Sequence, residues 1–169
     1  VRTEATGYGC VYFAERMLRH RGDTLAGKRC VVSGSGNVAT YTVEELLHLG
    51  ATPVTKSASG GFISDPDGID EAKLAFVKEL KGLHRGRIQE YADKYGVDFF
   101  EGQRPWSVPC EAAFPCATEN ELDLDDARAL LKAGCKLVAE GANMPTTLDA
   151  THEFLAARIS HHGALRGKT

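Results

Sequence analysis

Gly34-Ser35-Gly36-Asn37-Val38-Ala39 is the run in this sequence whose residue types and spacing point most directly to chemistry. A glycine at the first position allows a tight turn. A glycine at the third leaves the backbone bare, so that a pyrophosphate can approach it, and the small Ala39 lets a helix pack closely on a strand. Backbone N–H groups at the start of that helix, together with its dipole, then favour the anion. The spacing fits the dinucleotide fingerprint Gly-x-Gly-x-x-Gly/Ala, provided that a strand precedes it and a helix follows. Its candidate contacts are Gly34, Ser35, Gly36, Asn37 and Val38. The alternative is a glycine-rich turn with no chemical role.

The choice of dinucleotide should be written further along. A site for NAD calls for Asp or Glu about 20 residues beyond the glycines, to bond the ribose 2′-hydroxyl. The segment found there, Thr55-Lys56-Ser57-Ala58-Ser59, holds hydroxyls and a cation but no carboxylate. That composition suits a 2′-phosphate and leans toward NADP. Against this stands the reading that Lys56 merely points into solvent, as an exposed lysine usually does.

The elements that must position these groups alternate. Residues 4–20 have helical apolar spacing, and 29–33 read as a short buried strand. Residues 36–49 read as a helix stopped by Gly50, and Thr52-Pro53-Val54-Thr55 as the second strand. Residues 57–69 are rich in Ser, Gly, Asp and Pro and predict a loop that could carry a small hairpin. Helices are expected over 70–80 and 87–95, and strands at 98–100, 112–114 and 137–139. Asp123 should cap a helix ending at Gly134, and Thr146 with Asp149 should start another that runs through Ala157. Such alternation predicts an α/β fold, a Rossmann-like, doubly wound, mostly parallel sheet with its ligand at the carboxyl ends of the strands.

Composition bounds the rest. The 169 residues suit one domain, and 43% hydrophobic with 25% charged residues is ordinary for a globular chain. A net charge of −3 points to neither nucleic acid nor membrane as a partner. The sequence starts without Met and is expected to begin inside a longer protein. Five cysteines, at 10, 30, 110, 116 and 135, lack Cys-x-x-Cys spacing, so reduced thiols in a cytoplasmic compartment are expected in place of a metal site or disulfide framework. His48, His84 and His152 lack an obvious partner, and Cys116 lacks a nearby base that would activate it.

Several runs taken together resemble the hexameric glutamate dehydrogenases, specifically the NADP-linked group. They are Arg2-Thr3-Glu4-Ala5-Thr6-Gly7-Tyr8-Gly9, the Gly34–Ala39 loop and Gly102-Gln103-Arg104-Pro105-Trp106-Ser107. Pro115-Cys116-Ala117-Thr118-Glu119-Asn120-Glu121-Leu122 and Glu140-Gly141-Ala142-Asn143-Met144-Pro145-Thr146-Thr147 complete the set, in the order and spacing of that family's cofactor domain. The resemblance implies that Thr6 and Asn143 bond the nicotinamide or its ribose. It also implies that Ala117 and Thr118 line the groove near the same end, and that Asn37 meets the pyrophosphate. Ser59, Lys81 and Arg87 match positions that hold the 2′-phosphate of NADP, a hydroxyl and two cations for a dianion.

Three departures stand out. Ala58 replaces an Asp common in the family, Glu119 replaces a Gln, and residues 160–169 form an atypical tail beyond a cofactor domain of 1–159. The family's catalytic lysines and aspartate lie on a substrate domain that matches nothing here, so no catalytic residue is assigned. The implied parent enzyme is a cytoplasmic homo-oligomer that interconverts L-glutamate with 2-oxoglutarate and ammonia using NADP(H). Two alternatives are a related Leu, Val or Phe dehydrogenase and a non-catalytic nucleotide-binding fragment.

Overall fold

Short runs of small and apolar residues, buried on both sides, form the centre of a parallel sheet. The computed structural model of the chain describes residues 4–82, without the side chains of 81 and 82, and residues 88–162. Helix α1 (Ala5–Arg19) leads to β1 (Arg29–Val32), α2 (Asn37–His48) and β2 (Thr52–Pro53). After an excursion through residues 55–101, the chain returns as β6 (Ala112–Phe114), α5 (Leu124–Lys132), β7 (Leu137–Ala139), α6 (Leu148–Ala156) and β8 (Ser160–His162). The five strands lie in the order β2-β1-β6-β7-β8, all parallel.

Side chains alternate across such strands. Cys30, Val32, Ala112, Phe114, Leu137 and Ala139 enter one core, where Val11 and Leu18 of α1 and Val43 and Leu46 of α2 meet them. Val31, Ala113 and Val138 enter the other, against Ala127 and Leu130 of α5 and Ala150 and Phe154 of α6. Two covered faces explain why the strands read as continuous apolar runs. The expected α/β architecture, a mostly parallel doubly wound sheet, is the architecture present.

The second strand is shorter than expected, and the reason is one side chain. Thr55 Oγ1 accepts from the Val32 N–H at 2.9 Å and donates to the Val32 carbonyl at 3.0 Å. A hydroxyl thus closes the end of β1 where a neighbouring backbone would continue the ladder. The chain leaves the sheet and forms a second, antiparallel sheet of β3 (Thr55–Ala58), β4 (Gly61–Ser64) and β5 (Asp98–Glu101). Residues 57–64, expected as loop with room for a small hairpin, are therefore mostly that hairpin. Phe62 and Phe100, paired in register, stack with ring centroids 4.7 Å apart. Helices α3 (Glu71–Gly82) and α4 (Gln89–Tyr95) complete this part.

Asp123 caps α5 as expected, in a reciprocal capping box with Asp126. The cap of α6 is Thr147, not Thr146: its hydroxyl accepts from the Ala150 N–H at 3.4 Å. The first three residues of the 160–169 tail form β8, which pairs with β7 at the edge of the sheet.

Candidate functional site: a cleft at the sheet reversal

From β1 the chain winds through α2 to β2 on one side; from β6 it winds through α5 to β7 on the other. The loops leaving the carboxyl ends of β1 and β6 therefore diverge, and the crevice between them is where open α/β sheets take ligands. Gly34 begins the first loop with φ +91°, and a Cβ there would stand 2.9 Å from the Cys116 carbonyl oxygen and 3.2 Å from Ala117 Cα. Only glycine combines that left-handed backbone with so close a contact. Gly36 caps α2, and a Cβ on it would meet no atom within 4 Å, because it borders open space. Ala39 is fully buried against the sheet. The fingerprint thus stands between a strand and a helix N-terminus, with bare backbone facing the crevice.

A cavity of about 610 Å³ runs from the hydroxyl-bearing segment Ser57-Ala58-Ser59, past Gly34–Val38, to Ala117 and Thr118. A second, of about 450 Å³, holds Thr6, Glu119 and Asn143. Val38, Cys116, Ala117 and Thr118 border both, so the two form one cleft. Thr6, in the first turn of α1, and Asn143, beyond β7, meet at its mouth although 137 positions separate them. Ser35, Gly36 and Asn37 lie in its middle and Ser59 at the opposite end.

Lys56 requires a correction. It is 0% exposed, with Nζ 3.5 Å from Thr40 Oγ1, so it neither points into solvent nor borders the cleft. Alternation along β3 sends Ser57 toward the cleft instead, where its hydroxyl accepts from the Gly34 N–H at 2.7 Å. Arg87 and the side chain of Lys81 lie outside the described residues, as does His84. His48 is no isolated ring: Nδ1 is 2.9 Å from Glu45 Oε2.

Residue-by-residue reading missed the group that ties the cleft together. Glu121 is buried, and one carboxylate oxygen accepts from the N–H groups of Ala117 at 3.0 Å and Thr118 at 2.6 Å. The other accepts from the Ser33 hydroxyl, which itself accepts from the Cys116 N–H at 2.9 Å. One carboxylate therefore joins the loop after β1 to the loop after β6. Its own backbone is held in turn, since Arg104 Nη1 and Trp106 Nε1 both donate to the Glu121 carbonyl, at 2.6 and 3.1 Å. Burial pushes the Glu121 carboxyl above the ordinary range, against the opposing pull of the Ser33, Thr118 and Ala117 bonds. The available signal was a glutamate three residues past Thr118, spaced to accept the N–H groups of the turn it closes.

Cys116 borders the cleft, but burial pushes its thiol up to about 12, and its polar neighbour is the Thr42 hydroxyl at 3.6 Å. A thiol so raised is a poor nucleophile. Among the described residues no group of His, Cys, Asp or Glu is arranged to hold a metal, and no helix is long and apolar enough to cross a membrane. The cleft has the length, the anion-binding helix start and the bare glycine backbone that a dinucleotide needs.

Comparison with known proteins gives the same picture. The chain is 55% identical over 159 residues to the NADP-specific glutamate dehydrogenase of Haemophilus influenzae, covering 94% of this chain and 35% of that one. It is 57% identical to the NAD(P)-specific glutamate dehydrogenase of Xylanibacter ruminicola, with 94% and 36% covered. The crystal structure of Plasmodium falciparum glutamate dehydrogenase superposes with a TM-score of 0.92 at 46% identity, over 96% of this chain and 35% of that one. The chain thus spans about a third of the length of these relatives. The family model for Glutamate/Leucine/Phenylalanine/Valine dehydrogenase matches residues 1–163. On this match and these identities, the chain belongs to the Glutamate/Leucine/Phenylalanine/Valine dehydrogenase family.

Proposed function

We propose that residues 1–159 are the NADP(H)-binding portion of a glutamate dehydrogenase that interconverts L-glutamate with 2-oxoglutarate and ammonia. The observation that carries this reading is the single cleft in which the glycine loop, Thr6 and Asn143 converge at the sheet reversal. The α2 N-terminus and Gly34–Val38 would hold the pyrophosphate. Thr6, Ala117, Thr118 and Asn143 would set the nicotinamide, and Ser59 with Lys81 and Arg87 would take the 2′-phosphate. The described end of the cleft around Ser57-Ala58-Ser59 carries hydroxyls and no carboxylate, which supports NADP over NAD. The relative from Haemophilus influenzae, named as NADP-specific, points the same way, and the NAD(P)-specific relative from Xylanibacter ruminicola is compatible with it.

When bound, the cofactor supplies the hydride acceptor or donor. This chain's residues bind it and orient its reactive ring. The groups that bind glutamate and transfer its proton would belong to the rest of a cytoplasmic, homo-oligomeric enzyme.

Trp106, the sole tryptophan, borders the cleft and reports binding directly. NADPH added to the 169-residue chain should quench Trp106 emission saturably by energy transfer, whereas glutamate with NADP should give no reduction above background. Absence of saturable quenching would remove the cofactor-site reading, and glutamate-dependent turnover by this chain would remove the division of labour. Titration of Arg87→Ala tests the phosphate end. NADPH binding should weaken roughly 10- to 100-fold with NADH nearly unchanged.

A further inference from the structure

All five cysteines are buried, and two of them meet at the end of the sheet opposite the cleft. Cys110 stands two residues before β6 and Cys135 two residues before β7. The register pairs Ala112 with Leu137, and carried back two residues it sets Cys110 beside Cys135. The pairing persists across the intervening position, because the Lys136 N–H donates to the Glu111 carbonyl at 2.9 Å. Neighbouring strands lie about 4.8 Å apart, inside the range of roughly 4.4–6.8 Å between Cα atoms that a disulfide spans. Both side chains enter the core on the α5 and α6 face.

The paired register and the shared face bring the two thiols together. Cys135 S–H donates to the Leu137 carbonyl at 3.2 Å. Cys10, Cys30 and Cys116 belong to the core on the other face, and Cys30 stands near enough to interact electrostatically with both Cys110 and Cys135.

We propose that Cys110 and Cys135 form a reactive dithiol that a peroxide oxidises to an intrachain disulfide. Cys135 is the attacking sulfur. Burial and the neighbouring Cys135 push the Cys110 thiol up, so Cys135, flanked on both sides by the exposed Gly134 and Lys136, is the sulfur that an oxidant reaches first. The thiolate is the nucleophile in such chemistry. The Cys135 thiolate attacks one peroxide oxygen, the O–O bond breaks, and the departing hydroxide takes a proton to leave as water. Cys110 then attacks the resulting sulfenic sulfur, the S–OH bond breaks, and a second water leaves with the Cys110 proton. In sum two thiols and one hydrogen peroxide become one disulfide and two waters, with two electrons passing from sulfur to peroxide.

The test is a thiol count on the folded 169-residue chain, treated with hydrogen peroxide and then alkylated in denaturant. Three of the five cysteines should remain alkylatable, and mass spectrometry without reductant should find Cys110 and Cys135 peptides joined, a link that dithiothreitol reverses. In Cys110→Ser the link should vanish, and Cys135 should be trapped as a sulfenic acid by dimedone. Five alkylatable thiols after treatment, or a link through Cys10, Cys30 or Cys116, would overturn the proposal. The wild-type count decides the matter even if the variant does not fold.

Discussion

Glu121 carries more of the cleft's geometry than any residue of the glycine fingerprint. Its carboxylate accepts from Ser33, Ala117 and Thr118, and while ionised it has no donor of its own. In Glu121→Gln one oxygen gives way to a donor facing another donor. A hydrogen bond to an ion is worth roughly 1.5–3 kcal/mol, so NADPH affinity should fall by about 10-fold or more as the Ala117–Thr118 turn loosens. Titration of both proteins checks this. A pH signature accompanies it. Because burial raises the Glu121 carboxyl, the native state holds that proton more tightly than the unfolded chain. Its contribution to stability is therefore greatest at low pH and declines as pH rises from the ordinary carboxylate range through the raised value. Urea midpoints measured across that window should show this slope in the wild type and lose it in Glu121→Gln.

Among the elements, the crossing of α1 on α2 sets where Thr6 stands. Gly7 lies at that crossing, and a Cβ on it would stand 2.8 Å from both Thr42 N and the Val38 carbonyl oxygen. These are backbone atoms and cannot rotate away. Ala usually favours a helix over Gly by about 1 kcal/mol, but overpacking costs about 1–3 kcal/mol, and with backbone on the far side the clash should win. Gly7→Ala should therefore lower the thermal midpoint and also weaken NADPH binding, since the neighbouring Thr6 moves with the helix. An unchanged midpoint in a calorimetric scan would show that α1 shifts freely on α2.

The parts that were legible in the sequence are those with one dominant local signal. Gly34–Ala39 between strand and helix, the Asp123 cap and the apolar strands at 29–33, 112–114 and 137–139 were all readable. Of the antiparallel sheet, β5 is legible as the strand at 98–100, but residues 57–64 read only as a loop with room for a hairpin, because Ser57–Ser64 carries glycines and hydroxyls where strands usually carry periodic apolar residues. Nor could local reading find Thr55, whose value lies in capping Val32, 23 positions away. Lys56 fails for the same reason: its burial follows from the face of β3 it occupies, and composition does not encode a face. The mouth of the cleft at Thr6 and Asn143 was legible only through family resemblance, since no local pattern joins residues so far apart.

For the whole molecule, the doubly wound sheet explains why a chain spanning about a third of its relatives' length forms this cleft. Both loops that build it leave adjacent strands of this chain, β1 and β6. The central claim is that this cleft holds NADP(H) and reads its 2′-phosphate at the Ser57–Ser59 end. Calorimetric titration of the 169-residue chain and of Ser59→Asp with NADPH and NADH tests that claim most directly. The wild type should bind NADPH more tightly than NADH. Ser59→Asp, which sets a carboxylate against the phosphate, should weaken NADPH binding roughly 10- to 100-fold while NADH changes little. Equal affinities in the wild type, or equal losses for both cofactors in Ser59→Asp, would contradict it.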